Sequence, residues 1–351
     1  MEKKGCEALV FINKSNVFYV SRFPRPMGSY VIVFKDGNSY LLTPLLDFSR
    51  AKDIVRDAEV RPYAPYAVPD VEEELGIKLK SIKDIFKELL SNVKVVCTDE
   101  PHRVKSLITV ERIKDVIDDV MELRSIKTPE EVSFMKKALQ ISEEALWRVL
   151  ESLIPGLREY EVAGMIEGVM RYLGADGYAF ETIVASGPNS AYPHAVPTSR
   201  ELRQGDVVII DLGAKYNGYS SDMTRTITMG SVPKEVKNAL EIVSEAVNNA
   251  VDAAYDGVNA RTVDSAARDT LKRYGLSKYF IHSTGHGVGI DVHENPRLSQ
   301  SSKEVLREGM IVTIEPGVYI HGRYGVRIEN MILIKKRKSE ILNKKPLIYT
   351  G

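Results

Sequence analysis

Apolar and polar positions recur along this chain with two different periods, and the change from one to the other marks its organisation. Across residues 1–120, short apolar or aromatic runs stand at Ala8–Ile12, Val17–Val20, Tyr30–Phe34 and Ser39–Thr43, and each is predicted as a strand. Lys35-Asp36-Gly37-Asn38, between the last two, is a hairpin signal. Asp70–Ser91 scatters Leu75, Ile82, Ile85, Phe86 and Leu89 among acids and bases, which predicts at least one helix, and Val93–Thr98 predicts a further strand. Pro62, Pro65 and Pro69, with Tyr63 and Tyr66, predict a loop. A helical period then takes over. Thr128 stands as N-cap, Pro129 as first helical residue and Glu131 as partner in a capping box. The predicted helix runs through Val132, Met135, Leu139, Leu146, Val149 and Leu150 and stops at Pro155-Gly156. Glu159–Leu173, Pro233–Tyr255 and Arg261–Tyr274 carry similar apolar stripes.

Between and after these helices the strand period returns in two related segments, Arg203–Thr224 and Arg307–Asn330. Each has Arg-x-Gly, an apolar run rich in Val and Ile, then an acid, one residue and a Gly. Asp211 and Glu315 hold the same place in the two copies, and each copy adds a second acid on the following strand, Asp222 and Glu329. Helices laid against a largely antiparallel sheet, arranged twice, describe an α+β domain with internal pseudo-symmetry over residues 121–351. A smaller α/β unit over residues 1–120 precedes it. That unit has no cluster of His, Cys or paired acids, so its expected role is covering, gating or dimerising.

Composition narrows the class. A chain of 351 residues suits two domains, and 44% hydrophobic residues support a large core. Forty-eight basic against 48 acidic residues give no affinity for nucleic acid or anionic membrane, and the Lys335–Lys338 run reads as a solvated turn. No apolar run approaches the roughly 18 residues of a membrane span, and MEKKGCEALVF lacks the marks of a signal peptide. Cys6 and Cys97 form no disulfide framework or zinc spacing, so a reduced, cytoplasmic protein is expected. Gln140, Gln204 and Gln300 are the only glutamines, a scarcity that suits a heat-adapted chain.

The four acids then matter most. Asp211 and Asp222 flank a hairpin turning near Asn217-Gly218, and Glu315 and Glu329 flank a turn containing Gly322 and Gly325. On the last strand Arg327 and Glu329 share a face. One acid at a strand end is usually solvated. Four embedded in VVIID, TIE and VRIE are expected to be buried, and buried like charges need compensation. Two divalent cations would match them. His286, flanked by Gly285, Gly287 and Gly289, is the expected nitrogen ligand, the glycines letting backbone approach a bound group. His194, His282 and His293 suit donation to substrate or to a developing oxyanion, whereas His102 and His321 read as solvated.

IIDLG, YSSDMTRT, HSTGHGVGIDVHENPR, TIEPG and GVRIEN together resemble the Xaa-Pro dipeptidase (prolidase) and aminopeptidase P family of pita-bread metallopeptidases, peptidase family M24, over residues 125–351. Less specifically, residues 1–120 resemble the family's creatinase-type N-terminal domain, whose usual pattern Asn16-Val17-Phe18-Tyr19-Val20 fits. The resemblance implies a pita-bread catalytic domain, a homodimer and a dinuclear Mn, Co or Zn site. Asp211 would bind one ion and His286 with Glu315 the other, with Asp222 and Glu329 bridging. It implies that His194 and His293 contact the scissile carbonyl or tetrahedral intermediate, that His282 lines the substrate pocket and that Arg327 positions Glu329. Glu315 is the expected proton shuttle from the attacking water to the leaving nitrogen of an Xaa-Pro bond. Pro193-His194-Ala195 departs from the family's Pro-His-Gly but keeps the His. Arg297 suits a clamp for the carboxylate of a dipeptide substrate, the alternatives being a solvated side chain or a bridge to Glu294. An aminopeptidase P acting on longer peptides remains the second reading, and a non-catalytic peptide-binding module the third.

Overall fold

The computed structural model describes residues 1–346 and the backbone of 348–350. The last residues of the expected 121–351 domain, Leu347 and Gly351, lie outside this description. The chain divides into two units, Met1–Leu123 and Arg124–Gly351.

The first unit is built from β1 (Ala8–Phe11), α1 (Lys14–Ser21), β2 (Tyr30–Phe34), β3 (Ser39–Pro44), α2 (Phe48–Ile54), β4 (Glu59–Tyr63), α3 (Pro69–Leu75), α4 (Ile82–Leu89), β5 (Val95–Thr98), α5 (Pro101–Lys105) and β6 (Arg112–Asp115). The division falls within α6 (Ile117–Ser125). The six strands form one mixed sheet in the order β4-β3-β2-β1-β5-β6. The predicted β2–β3 hairpin is present, with Tyr30 opposite Leu42. Val17–Val20 is helical instead of extended. Asn13 caps it by accepting from the Ser15 N–H at 2.9 Å, and buried Asp99 accepts from the N–H groups of Ile12 and Asn13 and from Asn16. The local cap by Asn13, with distant Asp99 holding the chain at the start of the helix, outweighs the β preference of Val17, Phe18 and Tyr19. Pro62 and Tyr63 belong to β4, not a loop. This strand lies at the sheet edge, where a missing N–H is tolerated.

The expectation of two reduced cysteines is also corrected: Cys6 and Cys97 are joined in a disulfide, with Cα atoms 5.8 Å apart. β1 and β5 are parallel neighbours with Leu9 opposite Cys97, which brings the two cysteines together from 91 residues apart.

The second unit begins with α7 (Pro129–Leu150), whose capping box is present as predicted: Thr128 Oγ1 accepts from the Glu131 N–H, and Glu131 accepts from the Thr128 N–H. Then come α8 (Glu159–Tyr172), β7 (Gly177–Tyr178), β8 (Ile183–Ser186), β9 (Val207–Leu212), β10 (Ala214–Tyr216), β11 (Tyr219–Ser220) and β12 (Met223–Thr228). A second series follows: α9 (Lys234–Ala253), α10 (Ala260–Arg273), β13 (Gly285–Gly287), β14 (Glu294–Leu298), β15 (Ile311–Ile314), β16 (Gly317–Ile320), β17 (Tyr324–Arg327), β18 (Asn330–Leu333), β19 (Glu340–Ile341) and β20 (Ile348–Thr350). Two long helices followed by antiparallel strands thus occur twice. One sheet runs β20-β12-β9-β8 and the other β14-β13-β15-β18-β19. The apolar stripe of α9, Val236, Leu240, Val243, Val247 and Val251, packs with Val263 and Leu271 of α10 onto Val312, Ile314 and Ile332 of the second sheet. β9 and β12 are covered on both faces, which explains their nearly unbroken burial. Rigid sheets therefore carry the four acids.

A 91-residue loop closed by one bond stabilises chiefly by restricting the unfolded chain. Cys6→Ala/Cys97→Ala should lower the unfolding free energy of the first unit by about 3 kcal/mol in guanidinium melts. Dithiothreitol should do the same to the wild type and leave the variant unmoved; a midpoint indifferent to both changes would show that the bond adds no stability.

Candidate metal centre

The four acids sit at equivalent ends of two antiparallel strand pairs. In β9–β12, Asp211 is opposite Thr224 and Asp222 stands immediately before β12. In β15–β18, Ile314 is opposite Asn330, so Glu315 just after one strand and Glu329 just before the other face across the ladder end. The Glu329 N–H donates to the Thr224 carbonyl at 3.1 Å, tying the two pairs to each other. The expected turn at Asn217-Gly218 joins β10 to β11, and both residues have positive φ, 46° and 78°, as a tight hairpin requires.

His286 lies on β13, and the three glycines near it make room for close-packed neighbours. A Cβ on Gly285 would come within 2.0 Å of the Thr313 carbonyl oxygen, one on Gly287 within 2.2 Å of that of Asn295, and one on Gly289 within 2.4 Å of the Glu294 carboxylate. They admit neighbouring strands and a buried acid. The imidazole Nδ1 is 3.0 Å from the Gly287 carbonyl oxygen, an acceptor only, so Nδ1 carries the hydrogen and Nε2 presents a lone pair. Burial pushes the His286 pKa down to about 4, which keeps the ring neutral. Nε2 stands 3.6 Å from Asp222 Oδ2 and 3.7 Å from Glu315 Oε1. Ligand atoms of Asp222, His286 and Glu329 all lie within 4.8 Å of one another.

Electrostatics say what this cluster accommodates. Burial, then repulsion from Glu329, Asp211 and Glu315, raises the Asp222 pKa well above the usual carboxylate range. Burial, then Glu315 and Asp211, does the same to Glu329. Burial foremost lifts Glu315 to about 8, against the pull of Arg327. Among the described residues Asp211 Oδ1 is buried with no hydrogen-bond partner, while Oδ2 accepts from Arg327 Nη2 at 2.7 Å. An orphaned acceptor, several destabilised carboxylates and a neutral imidazole lone pair fit divalent cations, which supply the missing positive charge.

A buried chain of hydrogen bonds orients the acids. Arg327 grips Asp211 directly and reaches Glu329 through Thr224: its Nε donates to Thr224 Oγ1 at 3.1 Å, which in turn donates to Glu329 Oε2 at 2.9 Å. Arg327 Nη1 donates to the Tyr319 hydroxyl at 2.8 Å and to the Pro193 carbonyl at 3.1 Å. His282 Nδ1 pairs with the Ser283 carbonyl, so its Nε2 accepts from Tyr319 at 3.0 Å. Burial, aided by Arg327, lowers the His282 pKa to about 4. Tyr319 and Arg225 escaped the sequence reading. The first was one aromatic residue in an apolar run, although Gly317 beside it was a signal, since a Cβ there would lie 2.5 Å from the Tyr319 hydroxyl. Arg225, buried in β12, donates to the Glu329 carbonyl at 2.6 Å, and burial lowers its pKa to about 10.

The remaining candidates stand around this centre. The His293 ring is centred 4.3 Å from that of His286, and partial desolvation lowers its pKa. His194 is on an exposed turn of the 187–198 loop, next to the Pro193 carbonyl that Arg327 holds. Arg297 on β14 is directly opposite His286, and directly opposed residues project from the same face. Glu294, three residues earlier, takes the other face; it is buried and paired with Arg124 at 2.5 Å and Lys127 at 3.2 Å. Glu294 is therefore engaged by these two cations. His102 and His321 are exposed, His321 lying 5.9 Å from the Tyr192 ring, ring centre to ring centre.

Residues 133–336 match the model of metallopeptidase family M24, and residues 1–131 that of the creatinase/prolidase N-terminal domain. The chain is 40% identical to the Xaa-Pro dipeptidase of Pyrococcus furiosus, over 98% of this chain and 95% of that one. Among solved structures, the prolidase from Pyrococcus furiosus superposes with a TM-score of 0.87 at 38% identity, covering 99% of this chain and 98% of that chain. The X-Pro aminopeptidase from Thermotoga maritima MSB8 does so with 0.89 at 31% identity, covering 100% and 99%.

The raised carboxyls set a sign for stability. Glu315, near 4.5 when unfolded and about 8 when folded, favours the folded metal-free protein fully below pH 4.5, and that contribution is lost as pH rises towards 8. Asp222 and Glu329, raised in the same direction, add to the trend. The melting temperature of metal-stripped protein should therefore fall between pH 5 and 8, and saturating Mn²⁺ should remove most of that slope. Equal slopes with and without Mn²⁺ would mean that the acids do not share a cation.

Proposed function

The chain belongs to metallopeptidase family M24, and from that premise we propose that it hydrolyses the bond preceding proline in Xaa-Pro dipeptides. The observation that carries this reading is Arg297 projecting from the face of His286 while Glu294, its nearest acid in sequence, is engaged elsewhere. A guanidinium beside the donor cluster suits the free carboxylate of a substrate that ends at proline, through two parallel hydrogen bonds.

Asp211, Asp222, His286, Glu315 and Glu329 would hold two divalent cations, with Asp222 and Glu329 shared. Mn, Co and Zn all suit a carboxylate-rich set with one imidazole. When bound, such a pair acidifies the attacking water and polarises the scissile carbonyl. Glu315 takes the proton of the water and delivers it to the proline nitrogen, which has no hydrogen of its own and must gain one to leave. His293 and His194 donate to the oxygen of the tetrahedral intermediate. His282, held neutral and fixed by Tyr319, walls the pocket for the substrate. Arg327 keeps Asp211 turned inward and, through Thr224, Glu329.

The family resemblance supports a homodimer, and a cytoplasmic location, first expected from two unpaired cysteines, needs the Cys6–Cys97 bond to form inside the cell. Among the described residues no helix is long and apolar enough to cross a membrane. The Cys6–Cys97 bond would then be of the kind found inside cells of hyperthermophiles.

Arg297→Ala should raise KM for Ala-Pro about 10- to 100-fold, the worth of a charge-assisted pair, and change that for Ala-Pro-Ala less than about twofold. Equal losses on both peptides would remove the clamp. A wild type faster on Ala-Pro-Ala than on Ala-Pro would favour an aminopeptidase P, and no proline released from either by Mn²⁺-loaded protein would favour a peptide-binding module.

A further inference from the structure

One buried acid has no part in the chemistry above. Glu159, the first residue of α8, is 0% exposed. Its Oε1 accepts from the Ser186 N–H and hydroxyl, both at 2.7 Å, and from Asn189 Nδ2 at 3.1 Å. Its Oε2 accepts from the Thr198 N–H at 3.0 Å, the Thr198 hydroxyl at 2.6 Å and the same Asn189 amide at 3.1 Å. All these donors belong to a single segment, 186–198, which leaves β8 and carries His194. The backbone joins in, with the Glu159 N–H donating to Arg200 O at 3.1 Å and the Tyr160 N–H to Thr198 O at 3.3 Å.

Both feet of the His194 loop therefore rest on one carboxylate. The rest of the loop is tied to the catalytic side: Arg327 donates to Pro193 O, and the Gly325 N–H donates to Ser190 Oγ at 2.8 Å. Among the described residues no hydrogen bond holds the His194 ring itself, so the placement of its backbone bears directly on where the ring stands. Only an ionised carboxylate offers acceptors to this whole ring of donors; an amide would turn an NH₂ group against some of them. A buried charge satisfied on every side is worth keeping where it orders something else.

We propose that Glu159 is a positioning residue for His194, fixing the loop that brings the imidazole to the reacting carbonyl. The inference rests on His194 donating to the oxyanion, and the test separates the two ideas. Hydrolysis of Ala-Pro by Mn²⁺-loaded enzyme is measured for wild type, Glu159→Gln, His194→Ala and the double variant. Glu159→Gln should lower kcat about 10- to 100-fold, as expected for a catalytic group displaced by about 1 Å. KM and Mn²⁺ stoichiometry should stay within about twofold. In the His194→Ala background the same change should cost less than about twofold. Hydrogen exchange should quicken in residues 187–198 of Glu159→Gln and stay unchanged in α7.

An equal loss of kcat in both backgrounds would overturn the inference, since the damage would not pass through His194. An undiminished kcat in Glu159→Gln would overturn it too. Wild-type kcat in His194→Ala would instead sink the role of His194, and this inference with it. Should Glu159→Gln fail to fold, Thr198→Val, which removes one donor from the loop's far foot, enters the same cycle. It should give a smaller loss of kcat that disappears without His194; a loss that persists would again overturn the inference.

Discussion

Mutual repulsion among four carboxylates taken out of water is the constraint on which the second unit depends. Asp211, Asp222, Glu315 and Glu329 are brought together by two strand pairs whose own burial is nearly complete. Each pair could bury its apolar residues without the acids, so the stability of the sheets is being used against an unfavourable charge distribution. Arg327 relieves part of that repulsion and a cation pair would relieve the rest. Arrangements of this kind explain why the hydrogen-bonded surroundings, Thr224, Tyr319 and Arg225, are as buried as the acids they orient.

Much of this was legible in the sequence for one reason: the chain repeats. Two copies of an apolar run ending in acid-x-Gly identified the strands, the equivalent acids and the pseudo-symmetry at once. The helices were legible from their stripes, and the start of α7 from Thr128, Pro129 and Glu131, because capping is settled within four residues. What stayed hidden depends on partners far along the chain. Val17–Val20 has strand-forming residues, and the start of its helix is held by Asp99, more than 80 residues away. The disulfide needed β1 beside β5, a sheet order no local pattern reveals. Tyr319 and Glu159 look like an ordinary strand aromatic and an ordinary first-turn acid until the donors around them are located.

The histidines show how position changes an identical side chain. His286 and His282 each spend Nδ1 on a backbone carbonyl, which leaves Nε2 as the working atom in both. For His286 that atom faces carboxylates, and for His282 it faces a tyrosine hydroxyl. Burial keeps both neutral at pH values where an exposed imidazole begins to charge. His194, by contrast, hangs from a loop anchored at both feet.

β14 shows how one irregularity in a ladder can serve two faces. Glu294 and Arg297 occupy opposite faces of one short strand, the first sealed among Arg124 and Lys127, the second on the face of His286. Between them the ladder is irregular: one step on β13, from His286 to Gly287, faces three on β14, from Arg297 to Glu294. A bulge of this kind can take up an added or lost residue, whereas a point replacement at Arg297 leaves the ladder as it is. That irregularity is what lets a buried acid and an outward arginine stand three residues apart on one strand.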